Sequence, residues 1–248
     1  MAEKIRVTIW NEFRHEKTEE SIREIYPDGL HAVIASALSR DAKLEVRLAA
    51  LDDPDQGLPP EVLNNTDVLI WWGHMVHHEV NDALVEAIRE RVYYGKMGLV
   101  VLHSGHHSKV FRSVVGSTGN LSWGRNQKEI VWNINPTHPI AAGIPDHFCL
   151  ESEELYAEPF YVGKPDETVF LSWFEDGFVM RSGLVFKRSA GKIFYFQPGH
   201  EECRSFYNEW VQKVIRNAVY YVKPATSAFE IPEGAPHWEF RAADEFDA

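Results

Sequence analysis

The sequence predicts an α/β fold in which helices cover both faces of a mostly parallel sheet, with an extra β-rich segment in the C-terminal half. Three observations predict it. Short β-branched runs alternate with segments of helical periodicity up to residue 115, and such alternation calls for crossover connections and hence parallel strands. The run LVVL at 99–102 is apolar without alternation, as a strand covered on both faces requires. Beyond residue 120, short strand-like runs follow one another between Pro- and Gly-containing turns, with no long helix between them.

Taken in order, KIRVTIW at 4–10 is a first strand, rich in Ile5, Val7, Thr8 and Ile9. A helix is expected from Thr18, which can cap, through Ile22, Ile25, Leu30, Val33, Ile34 and Ala37, broken near Pro27 and Gly29. Strands follow at 44–51 and 67–72, separated by the turn-forming stretch DDPDQGLPP. A helix over 81–94 turns Ala83, Leu84, Ala87, Ile88 and Val92 inward, strand 99–102 comes next, and a helix is expected over 106–115. Strands at 130–134, 169–173, 179–187 and 193–196 precede a closing amphipathic helix over 205–222. No repeat or linker composition divides the chain, so one domain over 1–223 is expected, with 224–248 as a tail.

Composition narrows the function. The 248 residues carry 25 Lys and Arg against 37 Asp and Glu, a net charge of -12 that repels nucleic acid and anionic membranes. No apolar run reaches membrane-spanning length, and the N-terminus enters a strand without a basic-then-apolar leader, so a cytoplasmic protein is expected. Cys149 and Cys203 are too few for a disulfide framework and read as reduced thiols. The Val-rich and aromatic later strands permit a homo-oligomer.

The histidines are the chemical signal. In open α/β sheets ligands sit beyond the carboxyl ends of the parallel strands. The loops expected there are 11–16, 73–79, 103–107 and 197–202, and they hold eight of the twelve histidines. A lone loop histidine is usually surface polarity; four loops converging on one crevice are a site. The turn after strand 99–102 reads as a strand–turn–helix elbow. With His103 at its apex the flanking positions are Val101 and Gly105, whereas Ser104 would be flanked by Leu102 and His106, both too large for a serine nucleophile. A helix beginning near Gly105 would disfavour a cationic His103. The residues expected to carry chemistry are His103, His106, Glu154 and His200. Glu154 is first choice and Glu151 second within the acidic run 151–158, where Glu151, Glu154 and Glu158 would share a helical face. His74, His103 and His200, from three strand ends, are expected to hold a divalent metal such as zinc, with one position left open; a metal-free acid–base site would use the same residues. Asn11, His15, Trp72, His77, Glu151 and Tyr156 are expected to bind substrate, and Trp10, Trp71, Trp123 and Trp173 add flat aromatic surface.

These residues carry a resemblance. Val101-Leu102-His103-Ser104-Gly105-His106 resembles the Gly-x-Cys-x-Gly-His of class I glutamine amidotransferases, with His103 in place of the catalytic cysteine. Phe196-Gln197-Pro198-Gly199-His200-Glu201 resembles their Gln-Phe-His-Pro-Glu. More specifically, VTIWNEFRHE, YPDGLH, WWGHMVHHEV, LHSGHHSKVF, HPIAAGIP, LESEELYAEPF and IFYFQPGHEE are similar to the ThuA-like, or trehalose utilisation, family over nearly the whole chain. The resemblance implies a flavodoxin-like three-layer sandwich of the class I glutamine amidotransferase type. It also implies bacterial carbohydrate metabolism, acting on trehalose-type disaccharides or their 3-keto forms beside a sugar dehydrogenase, with no nucleotide cofactor. Two other readings stay open: a non-catalytic sugar- or protein-binding module that lost its cysteine, and a cysteine-free amidohydrolase or peptidase.

Overall fold

The computed structural model describes residues 4–225, so nearly all of the expected tail lies outside the described residues. A nine-stranded mixed sheet runs through the molecule. Its parallel half is built from β1 (Ile5–Asn11), β2 (Leu44–Ala50), β3 (Val68–Trp72) and β4 (Gly98–Leu102). The remaining strands are β5 (Ser122–Asn133), β6 (His147–Ala157), β7 (Glu167–Phe174), β8 (Val179–Arg188) and β9 (Gly191–Phe196), giving the order β2-β1-β3-β4-β9-β8-β7-β5-β6. β9 is parallel to β4, with Leu102 opposite Phe196, so β1, β3, β4 and β9 all finish on one rim. β8, β7, β5 and β6 continue the sheet antiparallel.

Helices cover both faces. On one, α3 (Leu30–Leu38) and α7 (Glu209–Val222) bury Leu30, Ile34 and Leu38 and Val211, Val214, Ile215, Ala218, Val219 and Val222 against the sheet. Each fully buried Val or Ile contributes roughly 1.5–3 kcal/mol, so α7 is a main fastening of this layer. The other face packs Val85, Ile88 and Val92 of α5 (Asp82–Tyr93) and Val110, Phe111 and Val114 of α6 (Lys109–Val115). Asn81, Ser108 and Asn208 cap α5, α6 and α7 through their side-chain oxygens.

Four local expectations are corrected. The helix placed from Thr18 begins at His15 and comes in three pieces, α1 (His15–Thr18), α2 (Glu20–Ile25) and α3, the last two parted by a turn at Pro27–Gly29 where Gly29 has φ 88°. The Thr18 hydroxyl donates back to the Arg14 carbonyl and caps nothing. The helix expected from residue 106 starts at Lys109, because residues 103–107 form a tight 3-10 turn and Ser108 supplies the cap. The acidic run is not helical: it lies on strand β6, which sequence periodicity missed.

Candidate active site

The rim of the parallel strands opens into a cleft of about 860 Å³ that His15, His74, His77, His106, Glu154, Tyr156, His200 and Glu201 help to line. It lies within the usual size range of small-molecule sites. A second hollow of about 540 Å³, between α4 (Pro60–Asn64) and α5, is lined by Leu58, Leu63, Leu84 and Tyr94 and contains no histidine.

One end of the cleft is held by the loops after β1 and β3. His15 Nδ1–H donates to the Glu19 carboxylate at 2.7 Å, which leaves Nε2 as the lone-pair nitrogen. That Nε2 stands 2.9 Å from His74 Nδ1 and 3.3 Å from Glu201 Oε1, and His74 Nδ1 is 3.0 Å from the same oxygen. Glu12, buried behind them, accepts the backbone N–H groups of His74, Met75 and Val76 and so fixes the turn that presents His74. Burial pushes Glu201 up, yet hydrogen bonding and charge from His74, with His200 and His15, overcome it and bring the carboxyl down to about 2. Burial likewise opposes charge on His74, and Glu201 outweighs it, so His74 is raised.

The other end is built on the elbow. His103 sits at its apex with φ 48°, and a Cβ on Gly105 would come within 2.8 Å of Val101 Cγ1, so only glycine fits there. Fully buried, His103 donates from Nδ1 to the Gln197 carbonyl at 2.8 Å. Its Nε2 lies 3.0 Å from Glu154 Oε2 and 3.2 Å from the Tyr156 hydroxyl, and the Tyr156 ring stacks on the imidazole. Burial disfavours the imidazolium, but Glu154, with the charges of Glu153 and Glu201, raises His103; reciprocally, His103 lowers Glu154 against its own burial. The helix-dipole expectation therefore fails, since the helix starts at Lys109 and a carboxylate faces the ring instead.

His200 completes this end, with Nε2 3.6 Å from Glu154 Oε2 and 3.7 Å from Glu201 Oε1. Its Nδ1 accepts the Glu202 N–H, which places the ring proton on Nε2. Burial, then repulsion from His103, keep it lowered and neutral. Behind it, Glu153 accepts the N–H groups of Gly199, His200 and Glu154 and the Ser205 hydroxyl, anchoring the 199–200 turn. His106 spends Nδ1–H on the Gly119 carbonyl and is held well below its ordinary value by burial and by His107. His77 is brought down to about 4, also by burial and then His107.

His74, His103 and His200 thus share one hollow, but their donor atoms do not form one set. His74 groups with His15 and Glu201, and His103 and His200 group with Glu154. Asn11 and Trp72, expected at the substrate, lie fully buried. Asn11 bonds Glu16 and His31, and the Trp72 indole N–H donates to the Gly199 carbonyl. Glu151 faces solvent on β6 and pairs with Lys128, far more exposed than a cleft residue. Glu158 pairs with Arg181. Trp10 and Trp71 stack on each other in the core. The Ser104 hydroxyl is spent on the Gly73 carbonyl, and burial pushes the Cys203 thiol up, so neither offers a nucleophile. Sequence reasoning missed Glu12, Glu19, Glu153, Gln197 and Glu201. Of these only Glu201 carried a signal, its place beside His200 at a strand end.

The His15–His74–Glu201 set fits a divalent cation. Two imidazole nitrogens and a carboxylate oxygen binding at roughly 2.0–2.2 Å stand about 3.0–3.5 Å apart, close to the 2.9–3.3 Å here. Glu19 supplies the carboxylate-to-histidine support that such ligands have, and the buried Glu201 Oε2 has no protein partner.

The profile of the ThuA family, described as trehalose utilisation, matches residues 6–222. The fold is similar to a putative ThuA-like protein of Parabacteroides merdae (TM-score 0.67, 13% identity, 91% of this chain and 93% of that one). It is similar also to a protein of Salmonella typhimurium LT2 described as cytoplasmic (0.63, 13%, 88% and 99%) and to a glutamine amidotransferase of Thermotoga maritima (0.53, 13%, 88% and 97%). No curated protein matches the sequence.

Proposed function

Since the chain belongs to the ThuA family, and so to carbohydrate metabolism at its coarsest, we propose that it is an enzyme acting on a trehalose-type disaccharide or its 3-keto form by acid–base chemistry. The observation that carries this reading is the His103–Glu154 pair: a fully buried imidazole with both nitrogens committed, holding an ionised carboxylate at the wall of the cleft.

A keto group acidifies the neighbouring C–H, so no strong nucleophile is needed. Glu154, held ionised by His103, accepts that proton and becomes neutral, the electron pair moves onto the carbonyl oxygen as an enolate, and the charge on His103 then balances the enolate. If a glycosidic oxygen departs with its bonding pair, His200 Nε2–H is the proton source on the same side. Tyr156, kept protonated by burial and by Glu154, donates a hydrogen bond there. Neutral His106 and His77 contact hydroxyls along the wall. His15, His74 and Glu201 would hold a divalent metal, zinc by donor type, which would supply Lewis-acid polarisation of a sugar oxygen when bound.

A sugar dehydrogenase that makes the keto group is the partner this chemistry calls for, and a cytoplasmic location matches the similar Salmonella protein. The test is turnover of 3-ketotrehalose by the full chain, lost in His103→Ala with the fold retained. Sugar binding without turnover in the unaltered protein refutes the enzyme reading.

A further inference from the structure

The two His/Glu groups do not account for the whole cleft wall. Trp123, on β5, also lines the cleft and is 74% exposed. Trp10, Trp71 and Trp72 are instead buried: Trp10 is stacked on Trp71, and Trp72 is tied to Gly199. Among the described residues the Trp123 ring meets no other ring or cation, and its indole N–H has no hydrogen bond. Yet its position is well fixed. It lies across the strand pair from Tyr156, which stacks on His103, so Trp123 stands one strand away from the acid–base pair. The following residues supply hydrogen-bonding groups: the Arg125 side chain is free in solvent but for a long contact to Asp176, and the Asn126 amide donates to Glu202 at 3.1 Å.

Size points the same way. Allowing each non-hydrogen atom the share of a water in the liquid, about 30 Å³, a single hexose of about a dozen such atoms fills at most about 360 Å³, and a disaccharide about twice that. The cleft, at about 860 Å³, has room for two rings. A sugar ring presents an apolar C–H face and a hydroxyl edge, which suits a flat indole flanked by an amide, a guanidinium and a carboxylate.

We propose that Trp123 is the platform of an outer subsite, on which the non-reacting ring of a disaccharide stacks while its reacting ring lies against Glu154 and His200. The proposal rests on the carbohydrate reading above and adds the residue that sets chain length. Full-length protein and its Trp123→Ala and Trp123→Phe variants are titrated by calorimetry with trehalose and, separately, with glucose. The expected result is tighter binding of trehalose than of glucose, a loss of tenfold or more for trehalose in Trp123→Ala, most of it restored in Trp123→Phe, and no change for glucose. Unfolding temperature checks that both variants fold, as an exposed position predicts. Equal losses for both sugars, or none for trehalose, overturn the subsite and leave the carbohydrate reading standing. Binding of neither sugar by the unaltered protein overturns both.

Discussion

The two ends of the inner cleft use the same residue types in opposite states. At His103 every polar atom is already bonded: Nδ1 to a carbonyl, Nε2 to a carboxylate and near a phenol. At His15 and His74 two ring nitrogens and the Glu201 Oε1 crowd within 2.9–3.3 Å of one another, and the buried Glu201 Oε2 has no partner among the described residues. A saturated cluster moves protons among fixed partners, whereas an unsaturated one is shaped for a ligand from outside. Histidine content alone does not distinguish them; bonding state does.

The largest expected effect tests the unsaturated end. Replacing Glu201 by Ala removes the oxygen shared by His15 and His74, and bound zinc in protein purified without a histidine tag should fall to background by elemental analysis. Zinc retained at full stoichiometry would place the ion elsewhere and dissolve the contrast. Next comes Glu154→Gln at the saturated end. It keeps the shape and removes the proton acceptor, so turnover should fall about 10²–10⁴-fold with zinc stoichiometry unchanged. Loss of zinc in this variant would merge the two ends into one.

How far sequence reached differs between the ends too. The parallel half follows from alternation of apolar runs and helices, and the gathering of His15, His74, His103 and His200 on one rim follows from those strand ends. The elbow was legible because position 105 takes only glycine against Val101. The grouping of the donors was not: His15 and His74 follow the neighbouring strands β1 and β3, an adjacency that the pattern of apolar runs does not give. The acidic run misled because register shifts between Gly124 and Asn126 and between Gln127 and Glu129 break the alternation of its partner strand. As a result Glu153 and Glu154 are both buried while Glu151 is not.

A third prediction separates the ends by pH. His31 accepts the Asn11 amide N–H, and Asn11 also bonds Glu16 and the Phe13 N–H, so His31 underpins the loop that carries His15. Burial brings His31 down to about 4, from 6.5 when unfolded. Above 6.5 the ring is neutral in both states and its contribution is intact. As pH falls from 6.5 toward 4 the unfolded chain takes up a proton that the folded one refuses. Stability should drop over that window by about 3 kcal/mol at most. Urea titrations at pH 7 and 4.5 should show the decline, reduced in His31→Gln; an equal decline in the variant would assign it to other groups.

The smallest expected effect falls on Glu19, which would act on a bound ion only through His15. Its carboxylate fixes which nitrogen of His15 carries the proton, and the side chain is itself partly exposed, so Glu19→Gln should leave unfolding unchanged. Support of this kind is worth 10–100-fold in metal affinity. Competition with a chromogenic chelator should therefore show zinc bound about 10–100-fold more weakly in Glu19→Gln, while Glu154→Gln competes like the unaltered protein. Were the two variants weakened alike, His15 and His103 would serve one shared ion, and the division between an open and a saturated end would fail at the point where the two clusters meet, Glu201 beside His200.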